Sequence, residues 1–275
     1  MNETFIIVFV SCLFIGSLVG FLAGLLGIGG GLIIVPTLIY LLPLLSVSAD
    51  IVMPIALATS LASIVITSSS AAIVHHQKNN IPWPLAKKLM TFVAIGALIG
   101  AYIASILSAK ALTTFFASAV TVLAVYMLFS TKIENAHTMP SNLVLRALGL
   151  FTGILAGLFT GILASLMGIA GGVVLVPSLS YFGLPLRHTM GVATICGVMV
   201  AIFGSIGYII SGWGQTQVPE WSFGYIYLPA LLGIVLSSSI FARYGVRMAT
   251  KLPVVLLKKF FAGFLILVAI KMIVQ

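Results

Sequence analysis

A glycine-rich stretch ending in proline is written twice in this chain. GLLGIGGGLIIVP, from Gly24 to Pro36, returns as SLMGIAGGVVLVP, from Ser165 to Pro177, with seven of thirteen positions identical. Those seven are Leu25/Leu166, Gly27/Gly168, Ile28/Ile169, Gly30/Gly171, Gly31/Gly172, Val35/Val176 and Pro36/Pro177. Both residue types disfavour a helix interior, glycine through backbone entropy and proline through its missing N–H. Matching interruptions in two apolar halves predict a pair of broken helices. In transporters such pairs are the best sequence pointer to the binding site.

The rest of the sequence names the solvent. Hydrophobic residues make up 61% of the chain and charged residues 6%, where a soluble domain carries about 25% charged residues. Uninterrupted runs such as 91–109 and 111–130 reach the roughly 20 residues needed to cross hydrocarbon. The fold class is therefore all-α and polytopic in a membrane. Thirteen Lys and Arg stand against four acids, but they are scattered between apolar segments. That placement orients a chain in the lipid bilayer rather than binding nucleic acid. Cys12 and Cys196 sit within apolar segments and read as small hydrophobes, not as a disulfide or a metal site. The start, Met1-Asn2-Glu3, has no basic residue of the kind a cleaved signal peptide carries.

About ten helical segments follow, some too short to span. A first repeat over 1–130 holds 5–26, 32–45, 51–74, 85–107 and 112–130. A linker covers 131–145, and a second repeat over 146–275 holds 148–167, 173–182, 189–210, 223–242 and 254–274. The repeat reaches beyond the glycines: Ala58-Thr59 matches Ala193-Thr194, and Phe115-Phe116-Ala117 matches Phe260-Phe261-Ala262.

Charge placement predicts the topology. The 75–88 loop holds Lys78, Lys87 and Lys88, whereas its counterpart at 211–222 holds no base and one acid, Glu220. Lys110 stands alone in its loop, whereas the counterpart holds Arg243, Arg247 and Lys251, with Lys258 and Lys259 close behind. Basic loops stay cytoplasmic, so equivalent loops of opposite character predict two inverted-topology repeats. Ten alternating segments from an external N-terminus put eleven of the thirteen bases inside, leaving only Lys110 and Lys271 outside. Counting each broken pair as one straight crossing would make the halves parallel and put the base-rich 243–251 loop outside. The charge pattern rejects that count.

The segment at 173–182 has ten residues, about 15 Å of helix against a hydrocarbon core of about 30 Å. The breaks at 27–31 and 168–172 are therefore expected at membrane depth. Freed N–H groups and a positive dipole end at the start of each short helix would hold an anion without a buried arginine. Candidate binding residues are Gly27, Gly29, Gly30, Gly31, Gly168, Gly171 and Gly172, acting through their backbones. A Cβ at Gly30 or Gly171 would block the anion's approach and penalise any positive φ that the turn requires. Close packing of helices through small residues is the competing use. Ala170 and Ser165 replace Gly29 and Gly24, so the second break is expected to be the less open.

Thr59, Ser60 and Thr194, at the starts of equivalent helices, are the candidate hydroxyl ligands. Ser63, Thr67 and Ser70 continue the face of Thr59 at helical spacing, and bonds to neighbouring helices are their alternative use. His75-His76 reads as an interfacial pair in preference to a proton relay. Asp50 reads as a charge at a helix start in preference to a proton carrier. Trp83, Trp213 and Trp221 flank segments, as an aromatic belt does.

The paired knots, the Ala-Thr dipeptides, and the basic and aromatic start of each half's last helix together resemble the sulfite exporter TauE/SafE family. The resemblance runs over both halves. It implies a multi-pass secondary transporter, an exporter or permease, in the bacterial inner membrane. Its substrates would be small sulfur-containing anions such as sulfite or organosulfonates, and no cofactor is implied. A coupling proton or cation and a homo-oligomer are both compatible with it. A non-transporting receptor or assembly subunit is the alternative reading. An intramembrane enzyme is the remoter one: there is no G-x-x-x-x-G-K-[ST] and no H-E-x-x-H, and the four acids form no membrane-embedded pair.

Overall fold

The computed structural model describes residues 2–26, 30–45, 47–129, 156–181, 184–249 and 254–274. In hydrocarbon every backbone polar group must be paired within the chain, and the described residues answer with helices. The first half of the chain contains α1 (Asn2–Leu26), α2 (Gly31–Leu41, extended by a 3-10 turn, Leu42–Leu45), α3 (Ala49–Gln77), α4 (Trp83–Ile106) and α5 (Ala109–Phe129). The second contains α6 (Gly157–Met167), α7 (Gly172–Tyr181), α8 (Leu186–Gly212), α9 (Leu228–Ala249) and α10 (Val254–Val274). Gly27, Gly29 and the expected linker at 131–145 lie outside the described residues.

Among the described residues α3, α4, α5 and α8 are long and apolar enough to cross a membrane, and shorter apolar stretches lie in α1, α2, α6, α9 and α10. Their outer faces carry exposed large apolar side chains, among them Phe14, Tyr102, Ile106, Val122, Ile210, Leu236 and Leu267. That surface belongs in lipid, because a soluble protein rarely shows so large an apolar area.

One segment departs from expectation. Residues 222–227 form a small antiparallel hairpin, β1 (Ser222–Phe223) paired with β2 (Ile226–Tyr227), and helix starts only at Leu228. The turn residue Gly224 has φ +59, a left-handed conformation that glycine alone adopts without penalty. Pro229 then occupies the first turn of α9, where its missing N–H costs nothing.

Small residues set which helices touch. Gly16 and Gly20 of α1 lie against Ile234, Ser237 and Ser238 of α9, and Gly233 of α9 lies against Cys12. Gly96 and Gly100 of α4 lie against Leu158, Gly161 and Ile162 of α6, whose Gly157 meets Phe92. Spacing of glycines by four lets two backbones approach closely where lipid offers no hydrophobic driving force. In both pairs residue numbers rise together, so α1 runs parallel to α9 and α4 parallel to α6. The third helices do the reverse. Leu61 of α3 meets Gly204 of α8, whereas Asn80 and Ile81, just beyond α3, meet Gly191. Thus α3 and α8 are antiparallel. The last helix of each half, α5 and α10, also pair. At the centre stands α3, with every residue from Ile51 to Leu61 buried.

Candidate functional site

The two glycine breaks meet beside α3. Gly168 ends α6 in the left-handed region, φ +60 and ψ 33. Its N–H donates to the Ser165 carbonyl at 3.2 Å, and Ile169 N–H donates to the Ala164 carbonyl at 3.0 Å. That is the Schellman pattern, which uses glycine because a Cβ is disfavoured there. The Gly168 carbonyl then points at α3, where Ser60 Oγ donates to it at 2.7 Å. A Cβ built on Gly31 would stand 2.5 Å from the same carbonyl oxygen and 3.0 Å from Ile169 Cα. The first residue of α2 therefore lies on the backbone of the second break, and only a residue without a side chain fits.

The left-handed turn sits at Gly168, not at Gly30 or Gly171. Gly30 has φ −71 and ψ −13, and Gly171 is not among the glycines of positive φ. Both act instead as helix starts. Ile33 and Ile34 N–H groups converge on the Gly30 carbonyl, each at 3.0 Å, and those of Val174 and Leu175 converge on Gly171 at 3.3 and 3.0 Å. The amides ahead of them, at Gly31, Leu32, Gly172 and Val173, have no carbonyl to reach within their own helix. No side chain caps α2. An uncapped helix start favours an anion, and that of α2 lies against the break that precedes α7.

Among the described residues the surroundings of the two helix starts differ. Every residue from Gly30 to Pro36 is buried, whereas Gly172, Val173 and Val174 are only half-buried. A Cβ on Gly172 would touch only Ala193 Cβ, at 3.7 Å. Ala170 does not close the second break: it turns to Gly197 of α8, whose missing side chain makes room for it.

The hydroxyls divide in the same way. Thr59 is wholly buried, and its Oγ1 accepts the Tyr227 N–H at 3.1 Å. Thr194 is half-buried and returns its proton to its own helix, at the Met190 carbonyl, 2.7 Å away. Ser63, Thr67 and Ser70 likewise donate back to Thr59, Ser63 and Ile66, so their protons go to α3 rather than to a neighbouring helix. Asp50 is exposed in the first turn of α3, the place for a charge that complements the dipole. At the other end of α3 the Asn80 side-chain amide lies 3.4 Å from His75 Nδ1, and His188 Nδ1 donates to the Asn80 carbonyl at 3.2 Å. His76 stands edge-on to Trp83. These histidines fasten the 78–82 turn to the start of α8. Cys12 and Cys196 are free and buried, and among the described residues no cluster of three His, Cys, Asp or Glu could hold a metal.

Sequence reasoning missed two residues here. Tyr208 of α8 is wholly buried and donates to the Ser165 carbonyl at 3.3 Å. Thr160 of α6 is wholly buried with no partner for its hydroxyl. The spacing of the repeat could have found Thr160, because it aligns with Val19 when Gly171 aligns with Gly30.

Matched helix breaks inside a polytopic apolar bundle point to a membrane transporter. The family match agrees: the chain belongs to the sulfite exporter TauE/SafE family, which it matches over residues 12–272. It is 40% identical over 264 residues to a probable membrane transporter protein of Haemophilus influenzae, covering 96% of this chain and 97% of that one. Probable membrane transporter proteins of Methanocaldococcus jannaschii and Bacillus subtilis are 24% and 26% identical, over 86% and 88% of this chain and 85% and 90% of theirs. No solved structure matches the chain. The family is one of transporters, not of enzymes.

Proposed function

We propose that the protein is a secondary transporter, an exporter or permease, of small sulfur-containing anions such as sulfite or organosulfonates in the bacterial inner membrane. The anion binds near the midplane where the two breaks meet. Backbone groups at Gly27, Gly29, Gly30, Gly31, Gly168, Gly171 and Gly172 surround it, with Thr59, Ser60 and Thr194 as nearby hydroxyls. One observation carries this reading: the uncapped start of α2, at Gly31, lies in backbone contact with Gly168, in the break that precedes α7. Thr59 accepts from Tyr227, so its own proton is left for a ligand. The choice of sulfur rests on the family.

Two inverted repeats, divided at 131–145, are the architecture that best accounts for the pairing of helices. Inverted halves require α3 and α8 to be antiparallel, and parallel halves would require the opposite. The contacts of Leu61 with Gly204 and of Asn80 with Gly191 support inversion, as does the distribution of bases. Cysteines placed singly at Lys78 and Arg247 should be shielded from an impermeant external thiol reagent, while one at Gln217 is labelled. External labelling of Arg247→Cys would refute the inverted arrangement.

Uptake into proteoliposomes tests the function itself. Labelled sulfite, thiosulfate, taurine and sulfoacetate are presented to purified protein, and at least one should accumulate above protein-free vesicles. Specific binding without accumulation would favour the receptor reading. Neither binding nor accumulation across the panel would overturn the assignment.

A further inference from the structure

We propose that Thr160 is a substrate-binding residue, its hydroxyl donating to an oxyanion held at the start of α7. Most helical threonines whose side chains the structure describes return their proton to their own backbone. Thr37, Thr67, Thr91, Thr113, Thr114, Thr121, Thr189 and Thr194 all do so. Thr59 and Thr160 do not. Thr59 is engaged by Tyr227, whereas Thr160 Oγ1 is buried without a partner. A buried unpaired hydroxyl is costly, and here an ordinary alternative, the carbonyl one turn back, goes unused.

The methyl of Thr160 packs on the second break, with the hydroxyl borne on the same Cβ. That methyl, Cγ2, lies 3.0 Å from where a Cβ on Gly171 would stand, and Gly171 is the residue on which the first turn of α7 closes. That ten-residue helix begins with amides that have no intrahelical acceptor. A hydroxyl donor beside amide donors suits a ligand that presents several acceptor oxygens and a negative charge. The first half provides an internal control. Val19 occupies the equivalent place, with Cγ1 2.9 Å from the Cβ position of Gly30. Valine and threonine have the same shape, so packing alone asks for nothing more than valine. The hydroxyl appears only at the break whose helix start is half open.

This inference rests on the reading that the breaks bind an anion, and the test separates the two. Wild type, Thr160→Val and Thr160→Ser are purified in detergent, and sulfite, taurine and acetate are titrated against each by calorimetry and by thermal shift. Wild type should bind sulfite or taurine more tightly than acetate. Thr160→Val should weaken that binding about ten- to a hundredfold, the range for one hydrogen bond to a charged partner. Thr160→Ser should stay within about threefold of wild type, since it keeps the donor. Without ligand, Thr160→Val should melt no lower than wild type, because it removes only an unsatisfied buried group. Thr160→Ala is read in the same way if the valine variant does not insert. Wild-type affinity in Thr160→Val would overturn the role of Thr160 and leave the anion site standing. No binding of any probe by wild type would overturn both.

Discussion

The short helices α2 and α7 share five of ten aligned residues, yet one is enclosed and the other half open. Along α2, burial runs from Gly31 through Pro36, and its start is pinned on the Gly168 carbonyl. Along the first turn of α7, the residues from Gly172 to Val174 keep partial exposure. Thr59 and Thr194 repeat the contrast, the one wholly buried and bonded across to the hairpin, the other half-buried and bonded to itself. Matching sequence at the breaks therefore gives both short helices the same kind of start but not the same environment. The environment is set by what lies alongside: the start of α2 packs on the Gly168 carbonyl, Ile169 and Ile64, whereas a Cβ at Gly172 would meet only Ala193.

Three substitutions probe that contrast, in falling order of effect. Gly168→Ala should be the most damaging. Alanine at φ +60 is strained, and its Cβ would lie 2.9 Å from Leu57 Cδ2 and 3.0 Å from Val35 Cγ2. Left-handed strain and overpacking together destabilise by roughly 2–5 kcal/mol, so this variant should show strongly reduced folded yield by size-exclusion chromatography. Thr59→Val comes next. It leaves the buried Tyr227 N–H without an acceptor, at a cost of about 1–3 kcal/mol, and should lower the melting temperature even without ligand. Thr194→Val should change stability by under about 0.5 kcal/mol, since it removes a bond internal to α8 at a half-exposed position. An equal loss in the two threonine variants would erase the distinction between enclosed and open halves.

Much of the fold was legible because membranes leave few options. Apolar runs, glycine knots and loop charges led to the helices, the short pieces after each break, and the expectation of antiparallel halves. The hairpin was not legible. Phe223 to Tyr227 is apolar enough to read as helix, and only the turn at Gly224 and the place of Pro229 divert it. At the site, the division of labour among the glycines was not legible. Gly30, Gly31, Gly168 and Gly171 look interchangeable in sequence. One of them is a left-handed cap, one makes room for a neighbour's carbonyl, and two start helices. Those roles depend on contacts across more than a hundred residues, which no local pattern records. Thr160 escaped for the same reason, since an unspent hydroxyl is visible only once its own helix and its neighbours are in place.

Gly172→Ala tests most directly whether the breaks hold the anion. At this position a methyl group fits: its Cβ would meet only Ala193, at 3.7 Å, and the backbone is not left-handed. Folding should therefore be indifferent to it, whereas an oxyanion seated on the first amides of α7 should be pushed away. Proteoliposomes carrying equal amounts of wild type and Gly172→Ala are compared for initial rates of sulfite uptake, with melting temperatures recorded for both. The account predicts at least about a tenfold loss of rate, the equivalent of one charge-assisted hydrogen bond, at an unchanged melting temperature. Wild-type uptake by Gly172→Ala would contradict it and move the anion away from the breaks.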